Sequence, residues 1–238
     1  MRLLDLFHEM EKRSLTLREK IEMEYFHVKD RLEGKVPNRL ELFTYMDDPV
    51  YQLCMKHPKE NPFRRYLSYL YERNELSDRE EELYHTIGRE FLALIEVTDM
   101  QKVYKMPVLA AFYNNGNIRM NVTEHDILES WKQFFSNGTN WRDLRKNITY
   151  DEYIKISDSQ HLSNAKKNPV RFLKASGKGF FVEREGFVLG LRDEMAGIIG
   201  HQAFRDQMKD IIAYRTMEYY RRRYTESFID TGTVITGK

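Results

Sequence analysis

The sequence predicts a mainly α, multi-helical protein with a C-terminal winged-helix-like segment containing one small β-hairpin. Apolar residues recur at helical spacing through most of the chain. Turn signals cut that pattern into short pieces, which suits an angular helical packing rather than a long coiled coil. Two apolar triplets, Phe180-Phe181-Val182 and Phe187-Val188-Leu189, flank Glu183–Gly186 and read as a hairpin.

Leu17, Ile21, Tyr25, Val28 and Leu32 share one helical face, so residues 17–32 form the first clear helix. Gly34 ends it and Pro37 blocks its continuation. Short helices are expected over Arg39–Met46 and Val50–His57, and Pro62 opens another with the stripe Phe63, Tyr66, Leu67 and Leu70. Ser77-Asp78-Arg79-Glu80 has the form of a capping box, and Leu83, Ile87, Phe91 and Leu94 predict one helix over 78–96. The pattern lapses over Thr98–Lys105, which places a soft boundary there. The chain then divides into two domains: 1–100, helical with a helix-turn-helix-like segment, and 101–238, basic and helical with a winged-helix-like hairpin.

In the second domain, Pro107 starts a helix over Val108–Tyr113, and Asn114–Asn117 is a turn. Thr123–Asp126 starts a helix carrying Ile127, Leu128, Trp131, Phe134 and Phe135, closed by Asn137-Gly138. Asn140 caps a short helix with Trp141 and Leu144. Ser163 caps a helix over Asn164–Ala175, with Phe172 and Leu173 toward the core, and Ser176–Gly179 breaks it. More helix begins at Asp193. A long helix runs from about Gln202 to Tyr224, ahead of a loose tail, Thr231–Lys238.

The 238 residues are 41% hydrophobic and 32% charged, the composition of a globular chain. Net charge is +1, but residues 1–100 carry −5 and residues 101–238 carry +6. That asymmetry points the second half toward an anionic partner. Cys54 is the one cysteine, so no intramolecular disulfide forms, and its apolar neighbours make it a core thiol. No stretch reaches the ~20 apolar residues needed to cross a membrane. The opening residues MRLLDLFHEMEKR are interrupted by acids, unlike a signal peptide, and the expectation is a cytoplasmic protein with no membrane partner.

Catalytic motifs are missing. Ser176-Gly177-Lys178-Gly179-Phe180 has neither the spacing nor the Ser/Thr of a P-loop. None of the seven histidines stands in a zinc-binding pattern, no Gly-x-Ser-x-Gly occurs, and no cofactor is expected. Asp47-Asp48 and Asp151-Glu152 leave a metal-dependent nuclease as one alternative.

The stronger signal is electrostatic. The helix over 164–175 carries Lys166, Lys167, Arg171 and Lys174, with Lys178 just after it. A helix leading into a hairpin resembles the final part of a winged helix, in which the helix enters the major groove and the wing touches the backbone. A second cluster, Tyr219-Tyr220-Arg221-Arg222-Arg223-Tyr224, combines phosphate-pairing guanidiniums with rings that stack on bases. The expected ligand is nucleic acid, DNA before RNA, held without bond chemistry. A protein-interaction adaptor is the other alternative.

Two stretches carry a family resemblance. Glu24–Met46, EYFHVKDRLEGKVPNRLELFTYM, resembles a helix-turn-helix of helicase-associated and sigma-factor-like domains, with Asn38 where that pattern has Thr and one inserted-looking position. KMPVLAAFYNNGNIRMNVTEHDILESWKQFFSNGTNWRDL, NPVRFLKASGKGFFVEREGFVLGL and KDIIAYRTMEYYRRRY resemble the C-terminal accessory region of bacterial DEAD/DEAH-box superfamily 2 helicases. That resemblance implies a helicase-linked role in DNA metabolism or defence, with a helicase motor as partner. It carries over no catalytic residue.

Overall fold

The computed structural model describes residues 15–114 and 116–232. The opening stretch through Arg13, Asn115 of the expected turn, and the tail after Gly232 lie outside the described residues. The chain is mainly helical and divides into two compact units, Met1–Ser77 and Asp78–Lys238.

In the first unit, α1 spans Leu17–Arg31 and opens on a Thr16/Glu19 capping box. Glu33 and Gly34, at φ 56° and 86°, turn the chain out of it. Asn38 and Glu41 form the capping box of α2, Arg39–Tyr45. Next come α3, Asp48–Lys56, a 3-10 turn, Pro62–Arg64, and α4, Tyr66–Tyr71. An aromatic core joins them: Phe43, Tyr51 and Phe63 meet edge to face at 5.0–6.4 Å, and Tyr25 meets Tyr69 at 5.5 Å. Within the stretch Glu24–Met46, Arg39 is fully buried with its guanidinium over the Tyr66 ring. Cys54 is buried too, and desolvation pushes its thiol up to about 12.

The second unit begins with α5, Asp78–Tyr84, and α6, Ile87–Val97. The single helix expected over 78–96 is broken because the Thr86 side chain turns in to cap the amide of Gly88, 3.1 Å away. α7 spans Lys105–Ala110. The chain then leaves the helix, and β1, Tyr113–Asn114, pairs with β2, Asn117–Ile118, so Tyr113 stands in a strand rather than in the expected helix. β3 is Asn121–Val122, and α8, Glu124–Ser136, opens on a Thr123/Asp126 capping box. An insert of short turns, including the 3-10 turn Asn140–Asp143 and α9, Tyr150–Tyr153, leads to α10, Asp158–Ala165.

α10 continues without a break through one π turn, Lys166–Val170, into α11, Arg171–Ser176. The expected start at Ser163 is too late. Ser157 caps Gln160 N and Gln160 reaches back to Ser157 N, so the capping box lies six residues earlier. Pro169 sits inside the π turn, whose wider ring accommodates a residue without an N–H. The extra residue in that turn rotates the rest of the helix about its axis. Leu173 is buried, but Phe172, expected in the core, is 48% exposed.

β4, Phe181–Val182, and β5, Leu189–Leu191, are antiparallel, and β5 also pairs with β3, so the sheet order is β3-β5-β4. Gly190 fits here because a side chain would meet Asn121 Oδ1 at 2.4 Å. After a 3-10 turn, Asp193–Gly197, α12 runs over Gln202–Gly232 and packs on α5, α6 and α7. Phe91 at the centre meets Phe180, Phe181 and Phe204 at 5.4–5.7 Å.

The sequence pattern places the domain change near residue 100, whereas the division falls between Ser77 and Asp78. The reason is polar. Arg215 of α12, itself buried, donates to the carbonyls of Glu96 and Thr98 at 2.7 and 2.6 Å. Lys105 donates to Thr98 Oγ1 and Asp99 O at 3.0 and 2.7 Å. The stretch that lacks a helical pattern thus follows a helix end whose carbonyls are satisfied within the fold.

Phe91→Ala removes the ring on which two other elements of the second unit converge. We predict a loss of about 3–5 kcal/mol in denaturant unfolding. A loss below about 1 kcal/mol would show that this cluster is not the centre of the core.

Candidate nucleic-acid interface

α10, the π turn and α11 form one helix whose inner side packs on α8. His161, Ala165, Val170 and Leu173 are buried, whereas Gln160, Ser163, Asn164, Lys167, Asn168 and Arg171 are exposed. The β4–β5 hairpin lies beside the C-terminal half. An open groove of about 1040 Å³ runs between them, lined by Lys166, Arg171 and Lys174 from the helix and by Arg184 and Phe187 from the hairpin.

The expected cations fall into three groups. Lys166 and Lys174 reach the groove, but each already holds a carboxylate. Lys166 Nζ is 2.7 Å from Glu124 Oε1, and Lys174 Nζ is 2.6 Å from Glu183 Oε1. The hydrogen bond from Lys174 holds the Glu183 carboxyl below its ordinary value. Lys167, Arg171 and Lys178 are exposed and have no carboxylate partner among the described residues. The Arg171 guanidinium lies over the exposed Phe172 ring at 5.0 Å. Lys178 adopts φ 47°, at the turn that sends the chain into the hairpin.

Arg221, Arg222 and Arg223 are placed differently. Arg222 Nη2 donates to Met100 O at 3.1 Å. Arg223 pairs with Asp143 and donates to the Tyr219 hydroxyl at 2.8 Å. Asp143 is buried, and desolvation raises its carboxyl above the ordinary value despite Arg223. Arg221 is partly buried, which lowers its affinity for the proton. Arg222 and Arg223 thus tie α12 to distant turns, and Tyr219 is part of the core.

Sequence reasoning did not find Glu124, Glu183 or Asp143 as partners of these cations. Only Glu183 carried a signal, since a hairpin folding back on the helix returns it toward Lys174. The remaining candidates stand in different units. Asp47 and Asp48 lie at the start of α3, and Asp151 lies on α9 of the second unit. No group of three or more His, Cys, Asp or Glu side chains suited to a metal ion occurs among the described residues. No described helix is long and apolar enough to cross a membrane. Compared with protein-family models, curated proteins and solved structures, the chain matches none.

His161 anchors the inner side of this helix. It is 3% exposed, meets the Tyr153 ring at 6.1 Å, and its Nδ1 has no hydrogen-bond partner. Burial, aided by Lys132 and opposed by Asp158, lowers its pKa below the ordinary 6.5. The folded state therefore binds this proton less readily than the unfolded state. The associated stability is present above pH 6.5 and is lost as pH falls through the lowered value. Melting temperatures taken between about pH 7.5 and 5 should fall more steeply in the native chain than in His161→Gln. Parallel profiles would show that His161 does not set the acid sensitivity of the fold.

Proposed function

We propose that the second unit is a winged-helix-like nucleic-acid-binding module, acting by positioning rather than by bond chemistry. One observation carries this reading: the order β3, α8, α10–α11, β4, β5, closed by the sheet order β3-β5-β4. A strand, two packed helices and a hairpin whose second strand pairs back to the first strand support reading that hairpin as a wing beside the second helix. That second helix corresponds to the one that enters the major groove in winged helices, and its exposed face is polar and basic. Lys167, Arg171 and Lys178 supply charge for phosphates, while Asn168 supplies an amide for base edges. DNA is the favoured ligand. The resemblance to helicase accessory regions adds a helicase motor as the protein to which such a module would be linked.

The reading has a direct electrostatic consequence. Neutralising phosphates releases counterions, so affinity for a labelled DNA duplex should fall steeply and log-linearly with salt. Lys167→Glu with Arg171→Glu should weaken binding and flatten that slope, measured by fluorescence anisotropy. Retention of full affinity in this variant would remove the helix from the interface.

The carboxylates make a second test with the opposite sign. Glu183→Gln releases Lys174 from its ion pair, so duplex affinity should rise, by up to about fivefold given what an exposed pair is worth. Unchanged or weaker binding would mean that Lys174 does not face the ligand.

A second reading is favoured by the same pairs. Glu124, Glu183 and Glu185 also line the groove, which gives it mixed charge and suits a protein adaptor. Absence of duplex binding at low salt would leave that reading in place.

A further inference from the structure

The insert between α8 and α10 forms a second cavity, of about 500 Å³, against the same helix. Its apolar side is made by Leu144, Ile148 and Ile156. Leu144 and Ile148 are 9% and 7% exposed, so this side is anchored in the core. The lining also includes Ser163 and Asn164, on the exposed face of α10 that continues to Lys167 and Arg171. Arg145 and Lys155 add cations to the lining. Arg145 is bound to Glu152 at 2.7 Å, and Lys155 is exposed with no carboxylate partner among the described residues.

An apolar wall, an amide and a nearby cation match the three parts of one nucleotide. A base has an apolar face and a hydrogen-bonding edge, and its phosphate carries the charge. A paired base inside a duplex shows no face, so an apolar wall has use only for a base outside the stack. Asn presents one donor and one acceptor in the arrangement that pairs with adenine.

We propose that this cavity takes one unpaired nucleotide, preferentially adenine, from a strand whose duplex lies along α10–α11. The base rests on Leu144, Ile148 and Ile156, its edge meets the Asn164 amide, and Lys155 takes the phosphate. The preferred ligand is then a duplex interrupted by an unpaired base rather than a perfect duplex. The inference rests on the winged-helix reading of the same helix.

The test uses the full chain and two fluorescein-labelled DNA probes, a perfect duplex and the same duplex with one bulged adenine. The bulged probe should bind about tenfold more tightly in fluorescence anisotropy. Asn164→Ala should lose that preference while keeping affinity for the perfect duplex. Ser163→Phe, which fills the cavity from the exposed helix face, is the second variant and should do the same. Equal affinity of the native chain for the two probes, or a preference that survives in either folded variant, overturns the nucleotide site and leaves the winged-helix reading standing. Failure of both probes to bind at low salt overturns that reading and the site with it. Free AMP is the last arm: displacement of the bulged base by AMP as readily as by the bulged strand would overturn the assignment to a strand-borne nucleotide.

Discussion

Phe91, Phe180, Phe181 and Phe204 come from three separate stretches of the chain and meet in one cluster. Each is buried, and each buried ring contributes on the order of 1.5–3 kcal/mol from apolar burial. The geometry of the second unit depends on this contact. Phe91 belongs to α6, Phe204 to α12, and the Phe180-Phe181 pair leads into β4. The hairpin is thereby anchored at its base, while its far end, with Phe187, stays at the groove. A strand pair as short as β4–β5 would not hold its position alone. The phenylalanine cluster and the third strand, β3, together set where the hairpin stands relative to the helix.

Around that apolar centre, the cations divide between two tasks. Arg215 is buried on the carbonyls of Glu96 and Thr98 at the end of α6, and Lys105 on the Thr98 hydroxyl and the Asp99 carbonyl just after it. Arg222 and Arg223 tether α12 differently, through Met100 O and the Asp143 carboxylate. Lys167, Arg171 and Lys178 meet no such partner among the described residues and remain at the surface of the helix and its exit turn. Between these classes stand Lys166 and Lys174, held by Glu124 and Glu183 across the groove. Charge along the sequence therefore overstates the charge offered to a ligand, because part of it is neutralised inside the fold.

Much of the local structure was legible because it rests on short-range chemistry. The helix Leu17–Arg31, the helix start at Thr123, the hairpin around Glu183–Gly186 and the buried Cys54 all arise from residues within a few positions of one another. The departures have equally local causes. Thr86 caps a helix where periodicity alone draws a continuous one, and Ser157 rather than Ser163 starts α10 because Gln160 completes its box. The π turn around Pro169 breaks the helical count, which sends Phe172 outward.

The candidate interface was legible by half. The sequence located a basic helix ahead of a hairpin, since charge and alternation are written along the chain. It did not locate the pairing of β3 with β5, the carboxylates that face Lys166 and Lys174, or the cavity beside Asn164. Most of those features join residues tens of positions apart, and no periodicity records them. Helix propensity, capping and burial pattern are properties of neighbours in sequence. Which cation keeps its charge for a ligand is decided by which carboxylate or carbonyl the core brings to it, and that belongs to the tertiary structure alone.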